Sequence, residues 1–286
     1  MRRCYNFFMK ILDLKNPFEA PVYYLETVAS TFDIARLLAA DNEKHGAVIT
    51  ADFQEAGRGR PICNEESALQ GSPPKSRSWV SERGKNLLFT IMLRYADISS
   101  IPKALALKTG IAVSQAVEDL APALAGKVLV KWPNDVMVCT SEPCKVAGIL
   151  IEGDGTNIYI GVGVNVAQRE FPEEYRAKAG SLVQAGLDLD ESARFVLLEK
   201  ILSRLFCEIE TGQELNETWR ERLLKRLYKL GETVTFAEGA AGSGRLDSGR
   251  LIEGELSGIG PDGELLIIPK GEKEERAFIN GELRVY

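Results

Sequence analysis

The chain has 286 residues, 45% of them hydrophobic and 27% charged, enough for one large domain or two smaller ones with a sizeable core. A formal net charge of −6 at pH 7 excludes general affinity for nucleic acid, because neutralising phosphates needs a clustered excess of Lys and Arg. Five scattered cysteines (Cys4, Cys63, Cys139, Cys144 and Cys207) and a single histidine, His45, argue against a disulfide framework or a Cys/His zinc site and point to a reducing cytoplasm.

Cys139 and Cys144 lie close enough in a predicted hairpin to pair, although free thiols are the plainer reading. No apolar run reaches the roughly 18 residues a membrane span requires, and Lys10 and Asp13 interrupt the apolar N-terminal stretch, so no membrane segment or signal peptide is expected. A Ser-His-Asp hydrolase would have to work through His45, which reads as a solvated loop residue after a predicted helix.

Ser30-Thr31-Phe32-Asp33 has the form of a capping box ahead of periodic apolar residues, which predicts a helix over 31–40. Residues 47–54 alternate as a strand; Gly57-Arg58-Gly59-Arg60 then opens a polar stretch, up to Ser78, that reads as a loop. Continuous apolarity predicts a buried strand over 86–94, and Leu105, Leu107, Ile111, Val113, Ala116, Val117 and Leu120 recur at helical spacing. The segment VLVKWPNDVMVCTSEPCKVAGILIEG (128–153) predicts a strand ending near Lys131-Trp132, a hairpin and a strand from Val146. Residues 158–166 complete the sheet, with glycines that let a ligand approach the backbone. A third helix is predicted over 192–211, with Phe195, Leu198, Ile201, Leu202, Leu205 and Ile209 on one face and Gly212 as its stop. From Leu230 onward, short strands with frequent turns suggest a small β-barrel, in which the charged residues 270–275 form a solvated turn.

Two guanidiniums and the backbone N–H groups of Gly57-Arg58-Gly59-Arg60 suit a carboxylate or a phosphate. Alone, the run is equally a surface turn: Ile62 stands where a dinucleotide fingerprint needs its third glycine, and the Lys-Ser/Thr of a P-loop is missing. More pointed are Lys131, Asn134, Asp135 and Lys145, polar residues set among strands that otherwise look destined for a core.

The segments TVASTFDIA, FQEAGRGR, SWVSERGKNLLFTIML, VLVKWPNDVMV, CKVAGILIEG and YIGVGVNV, in this order from Thr27 to Val166, resemble the catalytic domain of biotin–protein ligases. The β-rich tail resembles that family's SH3-like C-terminal domain. The resemblance implies an α+β (mixed α/β) fold: a class II synthetase-like catalytic domain over 1–229, with a central mixed sheet and flanking helices, and a small SH3-like β-barrel over 230–286. It also implies activation of biotin by ATP as biotinyl-5′-AMP, then transfer to a lysine of a biotin carboxyl carrier protein. Such chemistry needs no histidine base, because the attacking carboxylate is already ionised near neutral pH. It needs cations that relieve repulsion between carboxylate and triphosphate.

By resemblance, Ser30, Thr31, Gln54, Gly57, Arg58, Gly59, Arg60, Trp79, Lys145 and Gly148 would surround biotin. Arg58, Arg60, Lys131, Trp132, Asn134, Lys145 and Asn165 would surround the nucleotide. Lys145, Arg60 and Asp135 would carry the catalysis, Asn134 and Asp135 would hold Mg²⁺, and Pro133 would break the strand so that the Asn-Asp pair enters the site. Four features differ from the family pattern: Phe32 stands for the asparagine of S-T-N, residues 61–77 are inserted before Ser78-Trp79, the hairpin between Asp135 and Lys145 is slightly lengthened, and Tyr286 stands where an arginine follows Glu282. Glu282 is therefore left outside the expected site. Rival readings are a lipoate–protein ligase of the same fold, a non-catalytic biotin sensor, and a carrier or scaffold protein. The stretch before Thr27 is too short for the three-helix DNA-binding unit of some relatives, so no DNA binding is expected, and the resemblance admits a homodimer.

Overall fold

The computed structural model describes residues 9–62, 75–176, 178–210, 217–238 and 250–284. Cys4, Cys63, the Gly212 stop, Tyr286 and residues 63–74 of the insertion lie outside the described residues.

In chain order the strands are β1 (Lys10–Leu12), β2 (Val22–Val28), β3 (Ala47–Gln54), β4 (Arg58–Ile62), β5 (Lys75–Ser78), β6 (Leu87–Arg94), β7 (Val128–Lys131) and β8 (Asp135–Val138). They continue with β9 (Cys144–Asp154), β10 (Asn157–Val164), β11 (Thr233–Glu238), β12 (Leu251–Ile259), β13 (Leu265–Pro269), β14 (Arg276–Phe278) and β15 (Gly281–Arg284). The helices are α1 (Thr31–Ala40), α2 (Leu105–Leu120), a single turn α3 (Glu173–Arg176), α4 (Ala193–Ile209) and α5 (Trp219–Leu224).

Among the described residues, β1-β2-β3-β6-β10-β9-β8-β7 form an eight-stranded mixed sheet. β2 and β3 run parallel, because α1 carries the chain back between them. Period-two alternation gives the sheet two apolar faces. Val48, Ile91 and Ile160 are aligned by register and pack with α2 and α4, whereas Met92 and Tyr159, with Ile49, pack under α1.

Ser30 is the N-cap of α1 in an extended conformation, and its Oγ accepts from Phe32 N at 3.4 Å. Only half of the expected capping box forms, because the Asp33 carboxylate turns outward to Arg58 at 2.9 Å. Losing such a cap costs about 1 kcal/mol. In α4, Leu197, Leu198, Ile201, Leu202 and Leu205 are buried while Phe195 is half-buried. The buried Glu208 is neutralised by a two-pronged contact from Arg222 of α5, at 2.8 and 2.6 Å. That pairing is what allows a carboxylate there, since an unpaired buried charge is strongly destabilising.

The C-terminal strands form an antiparallel sheet in the order β14-β13-β12-β11-β15. Among the described residues β14 and β15 do not pair with each other, so the expected closure into a barrel is not formed. This sheet shares an apolar cluster with the larger one: Leu107, Ile111, Val130 and Trp132 pack with Leu223, Phe236, Leu256 and Ile267.

Two further expectations are corrected. The glycine-arginine run and residues 75–78 are not loop: β4 and β5 pair antiparallel, Arg58 opposite Ser78 and Pro61 opposite Ser76. Their polar composition carries no apolar alternation from which strands could be read. His45 does lie in a turn but is only partly solvated: its Nδ1 lies 3.0 Å from Arg94 N, its ring packs near Phe18 and Tyr95, and Nε2 is 3.4 Å from Glu210. Strand β2 and helix α5 were not anticipated. Cys139, Cys144 and Cys207 are free thiols, and no helix among the described residues is long and apolar enough to cross a membrane.

Candidate active site

The site grows from the α1 face of the sheet, where side chains are missing. Gly161 pairs with Thr90, whose Oγ1 lies 2.8 Å from Thr31 Oγ1, which places Gly161 on that face. The Phe32 ring covers it, 2.2 Å from where a Cβ would stand. Gly148 and Gly163 pair across β9 and β10, and the Trp79 indole lies on both; Cβ atoms there would come within 2.8 and 2.6 Å of the ring. Around these two rings opens a cavity of about 570 Å³, walled on one side by the β4–β5 hairpin. A volume of this size suits an organic acid together with a nucleotide.

One end of the cavity is neutral and polar. Thr31 donates to Gln54 Oε1 from its backbone N at 2.8 Å and from Oγ1 at 3.0 Å. The other end is charged. A bulge in the β8–β9 ladder makes Met137 oppose Lys145 while Val136 opposes Ala147, so the extra residue is Val146. In a strand one inserted residue flips everything beyond it, and this one turns Lys145 to the face that Gly148 occupies. There its Nζ lies 2.6 Å from Asp135 Oδ1 and 5.8 Å from the Trp79 ring centroid.

Lys131, opposite Asp135 at the end of β7, is only 3% exposed. Burial pushes its ammonium down to about 8, against the pull of Asp135 and Glu282. Burial also lowers the Arg60 guanidinium, again opposed by Asp135 and Glu282. Asn134, in the turn that follows Pro133, is fixed by reciprocal hydrogen bonds with the Ile149 backbone at 2.8 and 2.9 Å.

Three buried polar atoms on residues lining this cavity lack a hydrogen-bond partner among the described residues: Arg58 Nε, Trp79 Nε1 and Asn165 Oδ1. Arg58 spends its Nη2 on Asp33 and sits 5.7 Å over the Phe32 ring; Asn165 donates its Nδ2 to Gly180 O at 3.0 Å. Buried polar groups are nearly always satisfied, so these two donors and one acceptor beside the cavity are groups that a bound ligand could satisfy.

The structure thus brings Thr31, Gln54, Arg58, Gly59, Arg60, Trp79, Lys131, Asn134, Asp135, Lys145, Gly148 and Asn165 to a single cavity wall. Ser30, Gly57 and Trp132 are not part of it. Ser30 is 1% exposed; its Oγ caps α1 and also donates to Gln54 Oε1 at 3.5 Å, so it stands behind the polar end of the cavity. Gly57 is packed against the Trp79 backbone, where a Cβ would meet the carbonyl oxygen at 2.8 Å. Trp132 is turned away into the shared apolar cluster and donates Nε1 to Gly263 O at 2.9 Å. Phe32, Arg77, Tyr175, Lys178 and Glu282, none of them among the expected site residues, also line the cavity. For Glu282 the signal was its position in NGELRVY, set aside because Tyr286 replaces an arginine. For Lys178 no local signal exists: it comes close because residues 178–180 run beside β9, with Lys145 N donating to Lys178 O at 2.8 Å.

The Biotin/lipoate A/B protein ligase family model matches residues 69–165. A "Bifunctional ligase/repressor BirA" of Escherichia coli (strain K12) is 32% identical over 161 residues, 54% of this chain and 44% of that protein. The chain thus spans about half the length of the bifunctional relatives it matches. A "Biotin--[acetyl-CoA-carboxylase] ligase" of Mycobacterium tuberculosis is 30% identical over 202 residues, 70% of this chain and 69% of the relative. The solved biotin protein ligase of Aquifex aeolicus in complex with biotin and ATP superposes with a TM-score of 0.67 at 28% identity, covering 92% of this chain and 97% of that one. Sequence and fold agree over most of both molecules: the chain belongs to the biotin protein ligase family.

Proposed function

We propose that the chain activates biotin with ATP and transfers it to a lysine of a biotin carboxyl carrier protein. The carboxylate oxygen attacks the α-phosphorus of ATP, forming the mixed anhydride biotinyl-5′-AMP and releasing pyrophosphate. The lysine amine then attacks the acyl carbon, the C–N bond forms, AMP leaves, and the amine proton passes to Asp135 or to solvent. The observation that carries this reading is the cavity's lining: neutral polar groups at Thr31 and Gln54, a glycine floor, and four cations, Arg58, Arg60, Lys131 and Lys145. Those cations suit charge that grows on a transferring phosphorus in a site sheltered from water.

Magnesium belongs to this reading as an auxiliary. No group of three or more His, Cys, Asp or Glu side chains gathers among the described residues, so an all-protein cage does not fit. One carboxylate beside substrate phosphates does, as Mg²⁺ commonly binds, and Asp135 with Asn134 is where it would sit. Bound there, the ion would neutralise phosphate charge.

The reading also carries a cytoplasmic location and a two-domain organisation, with a catalytic domain over 1–229 and an SH3-like domain over 230–286. The test is biotin-dependent ATP–pyrophosphate exchange with lipoate in a parallel arm, followed by the mass shift of a carrier domain incubated with biotin, ATP and Mg²⁺. Exchange with lipoate in place of biotin would make the chain a lipoate ligase, and binding of biotin without exchange would make it a sensor.

A further inference from the structure

Both arms of the β4–β5 hairpin reach across to β15, more than two hundred residues away in sequence. From β4, Arg60 Nη1 donates to Gly281 O at 3.4 Å. From β5, Arg77 donates through Nη1 and Nη2 to Glu282 Oε1 and Oε2 at 3.2 and 2.7 Å. The first contact is long and single; the second is a two-pronged guanidinium–carboxylate pair, the arrangement that fixes orientation as well as distance. β15 is itself held by the ladder to β11, where Glu282 pairs with Ala237 and Gly281 with Glu238. The carboxylate is therefore presented from a rigid edge.

We propose that the Arg77–Glu282 pair clamps the hairpin onto the C-terminal sheet and so holds Arg60 at the charged end of the cavity, where the clamp retains the acyl-adenylate. Arg77 and Glu282 are on this account positioning residues, and the inference rests on the ligase reading. Burial works to raise the Glu282 carboxyl, but the hydrogen bonds and charge of Arg77, with Arg60 and Lys131 behind them, bring it below the ordinary carboxylate value, so it stays ionised. Arg77 is half exposed, and an ion pair of that kind contributes little to folding. Its effect falls on geometry: without it the hydrogen bond from Arg60 to Gly281 O, long and single, no longer has a two-pronged pair beside it, and a small displacement of a group that holds a reactive phosphate lets the intermediate escape.

The test compares wild type, Arg77→Glu, Glu282→Arg, the reversed pair Arg77→Glu/Glu282→Arg, and the milder Glu282→Gln. Two rates are read for each: biotin-dependent pyrophosphate exchange, which measures synthesis, and biotin transferred to serum albumin, which measures release. The expected result is a ratio of release to synthesis that rises on the order of tenfold in either single reversal, where like charges replace an ion pair. It rises less in Glu282→Gln and returns toward wild type in the reversed pair, with melting temperatures unchanged throughout. An unmoved ratio in the single variants, or a reversed pair as leaky as its parents, overturns the clamp while leaving the ligase reading intact. Absence of exchange in wild type overturns the ligase reading itself, and the clamp's role with it.

Discussion

The Lys145 ammonium stands 2.6 Å from the Asp135 carboxylate, and it can do so only because the bulge at Val146 turns Lys145 onto the cavity face. A lysine delivered in this way, on a ladder strand and beside a carboxylate, is positioned before any ligand arrives. Lys145→Ala should lower biotin-dependent pyrophosphate exchange by about a hundred- to a thousand-fold, the usual effect of removing one preorganised donor. Melting should be nearly unchanged, because both partners retain some exposure. A folded variant that exchanges at the wild-type rate removes Lys145 from the site.

Lys131 provides a pH signature. Burial holds its ammonium down at about 8, so on the proposed reading it would offer its charge to phosphate below that pH and lose it above. Free-enzyme groups appear in kcat/KM, so kcat/KM for ATP should fall as pH rises through about 8. Lys131→Arg, which keeps its charge, should shift that fall to higher pH. Stability responds in the opposite sense: an unfolded lysine titrates near about 10.4, so from pH 8 upward the unfolded chain binds the extra proton and this residue adds stability with rising pH. A kcat/KM profile flat from pH 7 to 9 would count against the assignment.

Phe32 and Gly161 should behave as one unit. An added methyl at Gly161 would meet the Phe32 ring at 2.2 Å, and Phe32 is itself buried against Ile34, Ala35 and the sheet. Gly161→Ala should therefore destabilise the protein by about 1–3 kcal/mol through overpacking and weaken biotin binding by pushing the ring into the cavity. With Phe32→Ala already present the clash is gone, so the double variant should melt no lower than Phe32→Ala alone. Additive losses would show that the two positions do not share the same space.

The parts of this site that were legible in the sequence are those that break a local rule. Lys131, Asp135 and Lys145 stand out because charges among apolar strands need a reason, and the glycines of 158–166 because a strand glycine leaves room, while Gly148 was reached only through the family resemblance. What was not legible is which way a residue faces and what comes near it from far along the chain. Ser30 and Trp132 have the chemistry of binding residues, yet one is buried behind Gln54 as the cap of α1 and the other faces the C-terminal sheet. Arg77 and Glu282 meet across a separation that no periodicity encodes. In the fold, the long apolar elements were readable, while β4 and β5 were hidden by their polarity. Helix α5 is a different case: its Thr218-x-x-Glu221 capping box is a readable signature that was passed over.

Asn165 bears on the choice of nucleotide. Its Nδ2 donates to Gly180 O, a carbonyl that can only accept, which fixes the amide so that Oδ1 is the atom left over. That oxygen is buried, lacks a partner among the described residues and belongs to a residue lining the cavity. A lone buried acceptor selects a ligand that donates. The exocyclic amine of adenine donates at the position where guanine presents a carbonyl oxygen, so a base seated at Asn165 would satisfy Oδ1 if adenine and place a second acceptor against it if guanine. Sites of this kind discriminate strongly, because the wrong ligand leaves buried polar groups unpaired. Asn165→Ala should therefore raise the KM for ATP and erase most of the preference for ATP over GTP, while the affinity for biotin stays within about twofold, as expected of a change outside the acid's contacts. Asn165→Asp should keep the acceptor but lose the donor to Gly180 O, so it should retain the ATP preference at lower stability. Parallel exchange assays with ATP and GTP on the three proteins test this: an undiminished ATP/GTP ratio in Asn165→Ala would place base recognition elsewhere in the cavity.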